Sequence, residues 1–319
     1  TFIRNWLYDK GIFKSSSFNI PIIAVGNLSV GGTGKTPQIE YLIRLLSEKY
    51  KVAVLSRGYK RTTEGFILAD EKATASSIGD EPFQFYSKFP NIQVAVDANR
   101  KNGIENLLQL SNKPDVILLD DAFQHRKVKA GFYILLTSYD DLFCDDYILP
   151  FGNLREPSSG KKRADMIIVT KCPNDLSEIA QQKIREKLKV KQQVFFTTIQ
   201  YDDFVFGNDS QLLVSEIQSE SKVLVAGIAK PKLFFDFLKN EKDETLVFPD
   251  HHHFSKQDCE QILAKANGRK IITTEKDFVR LNGLLPKAQL FYLPIKSTFL
   301  NTNIDKTIED YVGQSTRNS

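Results

Sequence analysis

Apolar runs alternate with amphipathic stretches along the first two thirds of the chain. Residues 20–26 and 115–121 are nearly continuous apolar runs, a pattern typical of strands buried on both faces. Stretches with helical spacing, such as residues 36–48, lie between these runs. The alternation predicts further strands and helices at residues 51–56, 92–96, 99–110, 132–137, 166–170 and 176–188. We therefore predict an α/β fold with a mostly parallel sheet sandwiched by helices.

A second α/β set follows a change of pattern near residue 193. Extended segments at residues 194–200 and 204–206 come first, and the set itself consists of predicted elements at residues 222–226, 231–238, 245–248, 256–266, 270–274 and 289–293. We place a domain boundary within residues 200–215. The prediction is a larger domain over residues 1–205 and a second, smaller α/β domain over residues 206–319.

Composition narrows the class of protein only modestly. The chain has 319 residues, 41% of them hydrophobic, and a net charge of +4, which is ordinary for a globular protein and does not indicate nucleic-acid binding. The three cysteines are odd in number and widely spaced, which argues against a disulfide framework or a zinc site. No run approaches the roughly 20 apolar residues that a membrane-spanning helix requires.

The N-terminal segment is amphipathic. Its apolar residues recur at helical spacing: Phe2, Ile3, Trp6 and Leu7. The basic residues that flank them are Arg4, Lys10 and Lys14. This composition is typical of a helix lying in a membrane interface. A terminal helix docked on its own domain is the alternative.

A glycine-rich loop follows the first predicted strand and opens the first long helix. Residues 25–37 read VGNLSVGGTGKTP, and the predicted phosphate loop comprises Ser29, Val30, Gly31, Gly32, Thr33, Gly34, Lys35 and Thr36. Its backbone N–H groups and the helix N-terminus would hold phosphate oxygens. The amine of Lys35 would contact the β- and γ-phosphates, and the hydroxyl of Thr36 would bind Mg²⁺. Ser29 stands where the strict pattern has glycine.

Two carboxylates end the predicted strand at residues 115–121. Asp120 and Asp121 follow an apolar run, the usual position of the second acid that holds Mg²⁺ beside a phosphate loop. A divalent cation is the simplest reason to place two acids together, and a solvated turn is the alternative. Asp80 and Glu81 follow a glycine and have a structural explanation as the first residues of a helix.

The identity of the nucleotide and of the base is less constrained. GTP-binding proteins usually carry N-K-x-D, whereas residues 170–173 read TKCP, so ATP is the expected nucleotide. Apart from His125, the histidines form the run 251–253. Adjacent side chains on an extended segment point to opposite sides and cannot easily share one ion. A single working histidine, poised by a carboxylate, is therefore favoured over a metal cluster.

The motifs together resemble the tetraacyldisaccharide 4′-kinase family of lipid A biosynthesis. The resemblance covers nearly the whole chain in family order, through RNWLYDKGI, GNLSVGGTGKTP, SRGY (56–59), GDEP (79–82), DDAFQH (120–125), LPFGNLREP (149–157), AGIAKPKLFF (226–235), FPDHHHF (248–254) and TTEKD (273–277). A serine at the start of the phosphate loop is the family's own form.

The resemblance implies an activity and a set of site residues. It implies a P-loop NTPase-type kinase that transfers the γ-phosphoryl group of ATP, with Mg²⁺, to the 4′-hydroxyl of tetraacyldisaccharide 1-phosphate, giving lipid IVA. Asp120 and Asp121 would be the metal-linked acids, with Glu156 as an additional one. Asp80 and His251 would form the dyad that accepts the hydroxyl proton. Substrate or nucleotide would be lined by Asn27, Arg57, Tyr59, Gln124 and Arg155.

The resemblance also implies a location and partners. The enzyme would act at the cytoplasmic face of the bacterial inner membrane, peripheral or anchored through its N-terminal helix. The smaller domain would close over the nucleotide, with no nucleic acid and no obligate protein partner involved. Two other functions stay open from the residues alone: a soluble P-loop kinase or ligase acting on a small metabolite, and a non-catalytic nucleotide switch.

Overall fold

The computed structural model describes residues 2–250 and 252–317 and resolves two units. Among these residues the strands are β1 (Ile22–Asn27), β2 (Val52–Ser56), β3 (Ile67–Leu68), β4 (Gln93–Val96), β5 (Val116–Asp120), β6 (Phe132–Ser138), β7 (Met166–Thr170), β8 (Gln193–Tyr201), β9 (Phe204–Phe206), β10 (Gln211–Leu213), β11 (Val223–Ala226), β12 (Glu244–Val247), β13 (Ile271–Thr274), β14 (Leu290–Leu293) and β15 (Ile295–Phe299).

The helices lie between these strands. They are α1 (Phe2–Asp9), α2 (Lys35–Leu46), α3 (Ala75–Ile78), α4 (Asp80–Lys88), α5 (Arg100–Leu108), α6 (Glu178–Leu188), α7 (Val214–Ser219), α8 (Lys232–Leu238), α9 (Lys256–Ala266), α10 (Glu275–Leu281) and α11 (Asp305–Arg317), with a 3-10 helix at Ser158–Arg163. Within the described ranges, no helix is long and apolar enough to cross a membrane.

The larger unit contains a sheet in the order β15-β8-β7-β6-β1-β5-β2-β4-β3. Every neighbouring pair from β8 to β4 is parallel, and β3 is antiparallel to β4. This confirms the predicted mostly parallel sheet. Since β1 lies between β5 and β6, the loop that follows it opens at the carboxyl edge of the sheet, where ligands bind in folds of this class.

Both faces of this sheet are buried, as the continuous apolar runs predict. Along β1, Ile23 and Val25 pack in one core with residues of α2 and α11, whereas Ile22 and Ala24 pack in another with residues of α5. Successive side chains of a strand point to opposite faces, so helices must cover both. The rigid double-sided packing fixes the strand ends that carry the site.

The chain's last residues correct the predicted domain division. The larger unit comprises Thr1–Ile199 and Ser297–Ser319, and the smaller unit comprises Gln200–Lys296. Residues 297–319 were expected in the smaller domain, but Ile304, just before α11, and Ile308 and Val312 of α11 pack into the core beside α2. The hydroxyl of Tyr311 also accepts a hydrogen bond from Ile22 N, at 3.1 Å, on β1. Burial of this apolar stripe explains why the chain returns to the larger unit.

The smaller unit has its own sheet, in the order β10-β9-β14-β13-β11-β12. Strands β14, β13, β11 and β12 are parallel, and β9 is antiparallel to β14 and to β10. Helices α7 and α8 pack on one face and α9 and α10 on the other. The carboxyl ends of its parallel strands carry three of the sequence motifs.

Candidate active site

The glycine-rich loop has the backbone geometry of an anion cradle. Gly31 and Gly34 have φ angles of 104° and 81°, in the left-handed region that glycine adopts without strain. Gly34 is the N-cap of α2, and the first turn of that helix carries no acidic residue. The N–H groups of this turn therefore present a positive helix end to the loop. Lys35 and Thr36 are the first two residues of the helix.

Neighbouring segments hold the loop in place. The N–H of Val30 donates to Asn153 O at 2.8 Å, and the N–H of Arg155 donates to Leu28 O at 2.7 Å. On the other side, the hydroxyl of Thr170 donates to Thr33 O at 2.8 Å. These contacts attach the loop to β7 and to residues 153–155. A loop fixed in this way binds phosphate with little loss of conformational entropy.

Asp120 and Asp121 lie directly beside the loop. Asp121 follows the end of β5 with a φ of 46°, an unusual conformation for a residue with a side chain. Lys35 Nζ lies 3.6 Å from Asp121 Oδ1, and Arg155 Nη1 lies 3.0 Å from Asp121 Oδ2. The hydroxyl of Ser56 donates to Asp120 Oδ2 at 3.0 Å. The predicted juxtaposition of Lys35 and the carboxylate pair is therefore present.

The two carboxylates have opposite electrostatic environments. Burial, together with the charge of Asp121, raises the pKa of Asp120 to about 6. Burial also acts to raise the pKa of Asp121, but Lys35 and Arg155 outweigh it and hold that pKa below its usual range. Asp120 is therefore the less compensated of the two acids, and a cation bound beside it would favour its ionised form.

The GDEP and SRGY segments meet beside this pair. Gly79 has a φ of 97°, and a Cβ added there would lie 3.3 Å from Gly58 Cα. Asp80 and Glu81 form the first turn of α4, where their charges complement the helix dipole. The negative charge of Glu81 contributes to raising the pKa of Asp120. Glu81 thus belongs to the electrostatic environment of the site, which its position at a helix start does not reveal.

Gln124 connects the strand before the loop to Glu156. Its amide Nε2 donates to Asn27 O at 2.7 Å and to Glu156 Oε1 at 3.0 Å. Glu156 is fully buried, and its oxygens also accept from Arg163 Nη2 at 2.7 Å and Asn5 Nδ2 at 2.6 Å. Protein donors thus engage both oxygens of the carboxylate that was expected near the metal. Its association with the metal stays a prediction.

Asn27 is also buried, yet its side chain is unsatisfied. Neither Oδ1 nor Nδ2 has a hydrogen-bond partner among the described residues. A buried amide without partners carries a desolvation cost of about 1–3 kcal/mol. At the end of β1, next to the phosphate loop, this orphaned amide is suited to a polar ligand.

The remaining predicted lining residues are more exposed. Arg57 and Tyr59 lie on the surface after β2, and Arg155 binds Asp121 as described. Burial, followed by the charges of Arg100 and Lys127, lowers the pKa of His125 to about 4, and Arg57 adds to this effect. His125 is therefore neutral near pH 7. Its Nε2 finds no hydrogen-bond partner within the described parts of the chain.

Helix α1 is docked on its own unit and keeps part of its apolar surface exposed. The Asn5–Glu156 hydrogen bond and a 3.1 Å bond from Arg4 Nη2 to Gln124 O dock it on the larger unit. Ile3 and Trp6 nevertheless remain exposed to solvent. The side chain of Phe2 lies outside the described part. The helix is thus attached to the site region while it presents an apolar surface.

Three motifs of the smaller unit converge at the carboxyl ends of its strands. The carboxylate of Asp277 accepts from Gly227 N at 2.8 Å and from Thr274 Oγ1 at 2.7 Å. A Cβ added at Gly227 would lie 3.3 Å from Pro249 O. This joins AGIAKPKLFF, TTEKD and FPDHHHF in one place. Such strand ends carry ligand sites in open α/β sheets.

The expected catalytic histidine, His251, lies outside the described residues. The neighbouring His252 is held by residues close to it in the chain. Its Nε2 lies 2.9 Å from Asp258 Oδ2, and its ring stacks on Phe248. This contact favours a structural role for His252 at the start of α9. The dyad of Asp80 and His251 therefore stays a prediction.

The residues at the loop fit a magnesium ion shared with phosphates. In the part of the chain that the structure describes, no three His, Cys, Asp or Glu side chains form a preformed metal cage. Mg²⁺ at phosphate-transfer sites typically uses only one or two carboxylates and completes its shell with phosphate and water. Asp120, whose pKa is raised and on which the charge of Lys35 acts, matches that need.

Several contributors to the site escaped the sequence analysis. They are Ser56, Glu81, Arg100, Arg163, Thr170 and Lys171, which contact or electrostatically influence the predicted residues. Arg100, for example, donates to Asp120 O at 2.9 Å from α5. These residues come from different elements, so no single motif predicts them together. Only Ser56 and Thr170, at the ends of β2 and β7, could have been predicted, because strand ends carry ligand sites in this fold class.

A triphosphate cradle at the carboxyl edge of a parallel sheet, with a lysine and paired acids beside it, defines a P-loop nucleotide-binding enzyme. The comparison with protein families narrows this class. The model described as Tetraacyldisaccharide-1-P 4′-kinase, LpxK, matches residues 1–312. The chain belongs to this family of kinases.

Comparisons with individual proteins support this family assignment. The chain is 66% identical over 319 residues to the tetraacyldisaccharide 4′-kinase of Flavobacterium johnsoniae, covering 99% of this chain and 94% of the relative. It is 46% identical over 345 residues to that of Bacteroides thetaiotaomicron, covering 99% and 91%. A crystal structure of LpxK from Aquifex aeolicus in complex with ATP superposes with a TM-score of 0.76 at 29% identity, covering 98% and 94%.

Proposed function

We propose that this protein transfers the γ-phosphoryl group of ATP to the 4′-hydroxyl of tetraacyldisaccharide 1-phosphate, giving lipid IVA in lipid A biosynthesis. The observation that supports this most strongly is the Lys35–Asp121 ion pair at a phosphate loop, in a chain matched to the kinase family over residues 1–312. The Aquifex aeolicus relative was solved with ATP, which supports ATP as the donor.

Catalysis in this class depends mainly on positioning and charge neutralisation. Residues 29–36 would hold the phosphates through backbone N–H groups, and the amine of Lys35 would neutralise charge on the transferring group. Lys35 and Arg155 both pair with Asp121. Both cations therefore lie at the carboxylate where Mg²⁺ and phosphate would be held.

Thr36, Asp120 and Asp121 would hold Mg²⁺. The ion would supply positive charge to the phosphate oxygens. Glu156 would be an additional metal-associated acid, and Gln124 and Arg163 hold its carboxylate in place. Backbone hydrogen bonds keep residues 153–155 against Leu28 and Val30.

On the acceptor side, Asp80 and His251 would take the proton of the 4′-hydroxyl. The family motifs GDEP and FPDHHHF support this assignment. Asn27, Arg57, Tyr59, Gln124 and Arg155 would line the substrate or nucleotide site. The smaller unit, Gln200–Lys296, would close over the nucleotide and bring its strand-end motifs to the reaction.

The enzyme would work at the cytoplasmic face of the inner membrane. Exposed Ile3 and Trp6 on α1, with Lys10 and Lys14 following, support binding to an anionic membrane surface. The acceptor is an acylated lipid, so a kinase at the bilayer surface meets it directly. We propose no nucleic-acid ligand and no obligate protein partner.

The test is transfer of label from [γ-³²P]ATP to the disaccharide dispersed in detergent, compared with a panel of soluble alcohols. We expect label in the lipid only. His251→Ala should lower kcat roughly 10²–10⁴-fold while ATP binding is retained, the usual effect of removing a general base. His252→Ala is the matched control and should keep most of the activity. Unimpaired turnover of His251→Ala would remove the base assignment, and label in a soluble acceptor would remove the lipid kinase assignment.

A further inference from the structure

The loop between β6 and the 3-10 helix exposes a cluster of large apolar side chains. We call residues 147–151, with the sequence YILPF, the apolar tip. Phe151 is 90% exposed and Tyr147 is 72% exposed, and Ile148 and Leu149 are also largely exposed. Single exposed apolar residues are ordinary, but a contiguous cluster on one loop marks an interaction surface.

The apolar tip is presented on a closed, hydrogen-bonded loop. Leu154 N donates to Tyr147 O at 2.9 Å, and Leu149 N donates to Leu154 O at 3.0 Å. The carboxylate of Asp146 accepts from the N–H groups of Tyr147 and Asn153. These bonds fix the base of the loop, so exposure of the tip is a property of the folded state.

The acids that flank the tip are held by partners at the base of the loop. Asp146 accepts from backbone N–H groups as described, and Asp145 forms a 2.7 Å ion pair with Lys187. Residues 147–151 carry no charged side chain. The tip itself therefore presents only uncharged apolar and aromatic groups, which suits a lipid interface.

The tip is joined to the phosphate loop by a short segment. Two residues after Phe151, Asn153 O accepts from Val30 N at 2.8 Å. Arg155, the next residue but one, binds the carboxylate of Asp121. The tip and the phosphate loop are thus joined through a short stretch of backbone.

A short stretch of chain also links the tip to α1. Asn5 of α1 is bonded to Glu156, only five residues after Phe151, which is a reach of at most about 18 Å. Ile12 and Phe13, just after α1, are exposed as well, and Lys10 and Lys14 beside them are basic. Apolar groups flanked by basic ones match the chemistry of an anionic bilayer surface.

We propose that the apolar tip, residues 147–151, inserts into the membrane interface and forms a second attachment point beside α1. This rests on the proposed function, because a lipid acceptor places the enzyme at a bilayer. Two attachment points restrict rotation at the surface, so the phosphate loop faces the plane in which the acceptor headgroups lie. Phe151 and Tyr147 provide the inserted groups, since aromatic rings favour the headgroup level.

The binding test uses vesicles of phosphatidylethanolamine and phosphatidylglycerol without acceptor lipid. Phe151→Ser should lower the partition coefficient about tenfold or more, the effect of withdrawing one large apolar side chain from lipid. Ile179→Ser is the matched control, because Ile179 is 72% exposed on α6, away from the tip in sequence. Binding of Phe151→Ser that equals wild type, or that falls no further than Ile179→Ser, overturns the proposal.

A second measurement does not depend on loss of binding. In a Trp6→Phe background, Phe151→Trp should give a blue-shifted emission that brominated lipids quench, whereas Ile179→Trp should not be quenched. An unquenched Trp at position 151 overturns the proposal. So does a Phe151→Ser protein that binds vesicles normally but has a raised KM for detergent-dispersed acceptor, which would mean that the tip holds substrate acyl chains instead.

Three further outcomes separate this inference from its alternatives. Phe151→Ser should retain wild-type kcat on detergent-dispersed acceptor, and loss of vesicle binding with retained transfer supports the inference. Failure of the wild type to phosphorylate that acceptor counts against the proposed function, whatever the vesicle result. A dimer in sedimentation that disappears in Phe151→Ser would assign the tip to a second copy of the chain and overturn the proposal.

Discussion

Replacing Asp120 by asparagine tests the electrostatic description of the site. Burial and the charge of Asp121 raise the pKa of Asp120 from 3.8 to about 6. An acid whose pKa is raised by folding destabilises the folded state once it ionises. Its stability contribution is therefore highest below pH 3.8 and falls as the pH rises to about 6. The amide introduced by Asp120→Asn cannot ionise, so this loss should disappear in the variant.

The size of the effect follows from the pKa difference. A pKa difference of about two units corresponds to about 3 kcal/mol of unfolding free energy, at about 1.4 kcal/mol for each unit. This is an upper value because Asp120 as a whole residue is only partly buried. We expect Asp120→Asn to match wild type near pH 4 and to be more stable by up to about 3 kcal/mol near pH 7. For a unit of this size that is roughly 6–12 °C in Tm.

The assay is urea denaturation followed by circular dichroism at several pH values, without nucleotide or Mg²⁺. Asp121→Asn is the matched control, since Lys35 and Arg155 lower the pKa of Asp121. A lowered pKa stabilises the folded state above the unfolded value, so this neighbouring substitution should destabilise the protein near pH 7. Both variants should lose kinase activity. A stability difference between Asp120→Asn and wild type that does not change with pH would refute the reasoning.

Two further predictions concern the packing that positions the site. Gly26→Ala should destabilise the larger unit by about 1–3 kcal/mol and weaken ATP binding, because the added Cβ would lie 2.7 Å from Phe123 Cβ and overpack the core. Thermal shift with and without ATP measures both effects, with Gly313→Ala as the tolerated control. An unchanged Tm of Gly26→Ala would contradict the packing argument. Ile308→Ala should lower the free energy of unfolding by about 2–5 kcal/mol, because Ile308 is fully buried in the core that contains α2. Denaturant unfolding measures this loss, and Thr307→Ala, at an exposed position, is the control. Equal stability of the two variants would show that α11 does not support the larger unit.

The sequence predicted most of the sheet because its strands are unusually simple. Strands buried on both faces need apolar side chains at every position, so β1, β5 and β7 appear as short apolar runs without ambiguity. The phosphate loop was likewise predictable, since its glycines and Lys-Thr pair serve local geometry at one strand end.

Other parts required information that local patterns do not carry. At α11 and the residue before it, Ile304, Ile308 and Val312 recur every four residues and could have predicted a helix, but nothing local indicates that it packs on the larger unit. The environment of Glu156 is set by Asn5, Gln124 and Arg163, which come from separate segments of the chain. The raised pKa of Asp120 depends on burial, which is a property of the assembled fold.

The position of the new phosphoryl group in the product is the most direct measure of the central claim. Wild-type protein is incubated with ATP, Mg²⁺ and detergent-dispersed tetraacyldisaccharide 1-phosphate, and the lipid is analysed by ³¹P NMR and tandem mass spectrometry. We predict one additional phosphate monoester on the 4′-oxygen, absent with Lys35→Ala. ATP hydrolysis without a new phosphate on the lipid, or a phosphate at any other hydroxyl, would contradict the account.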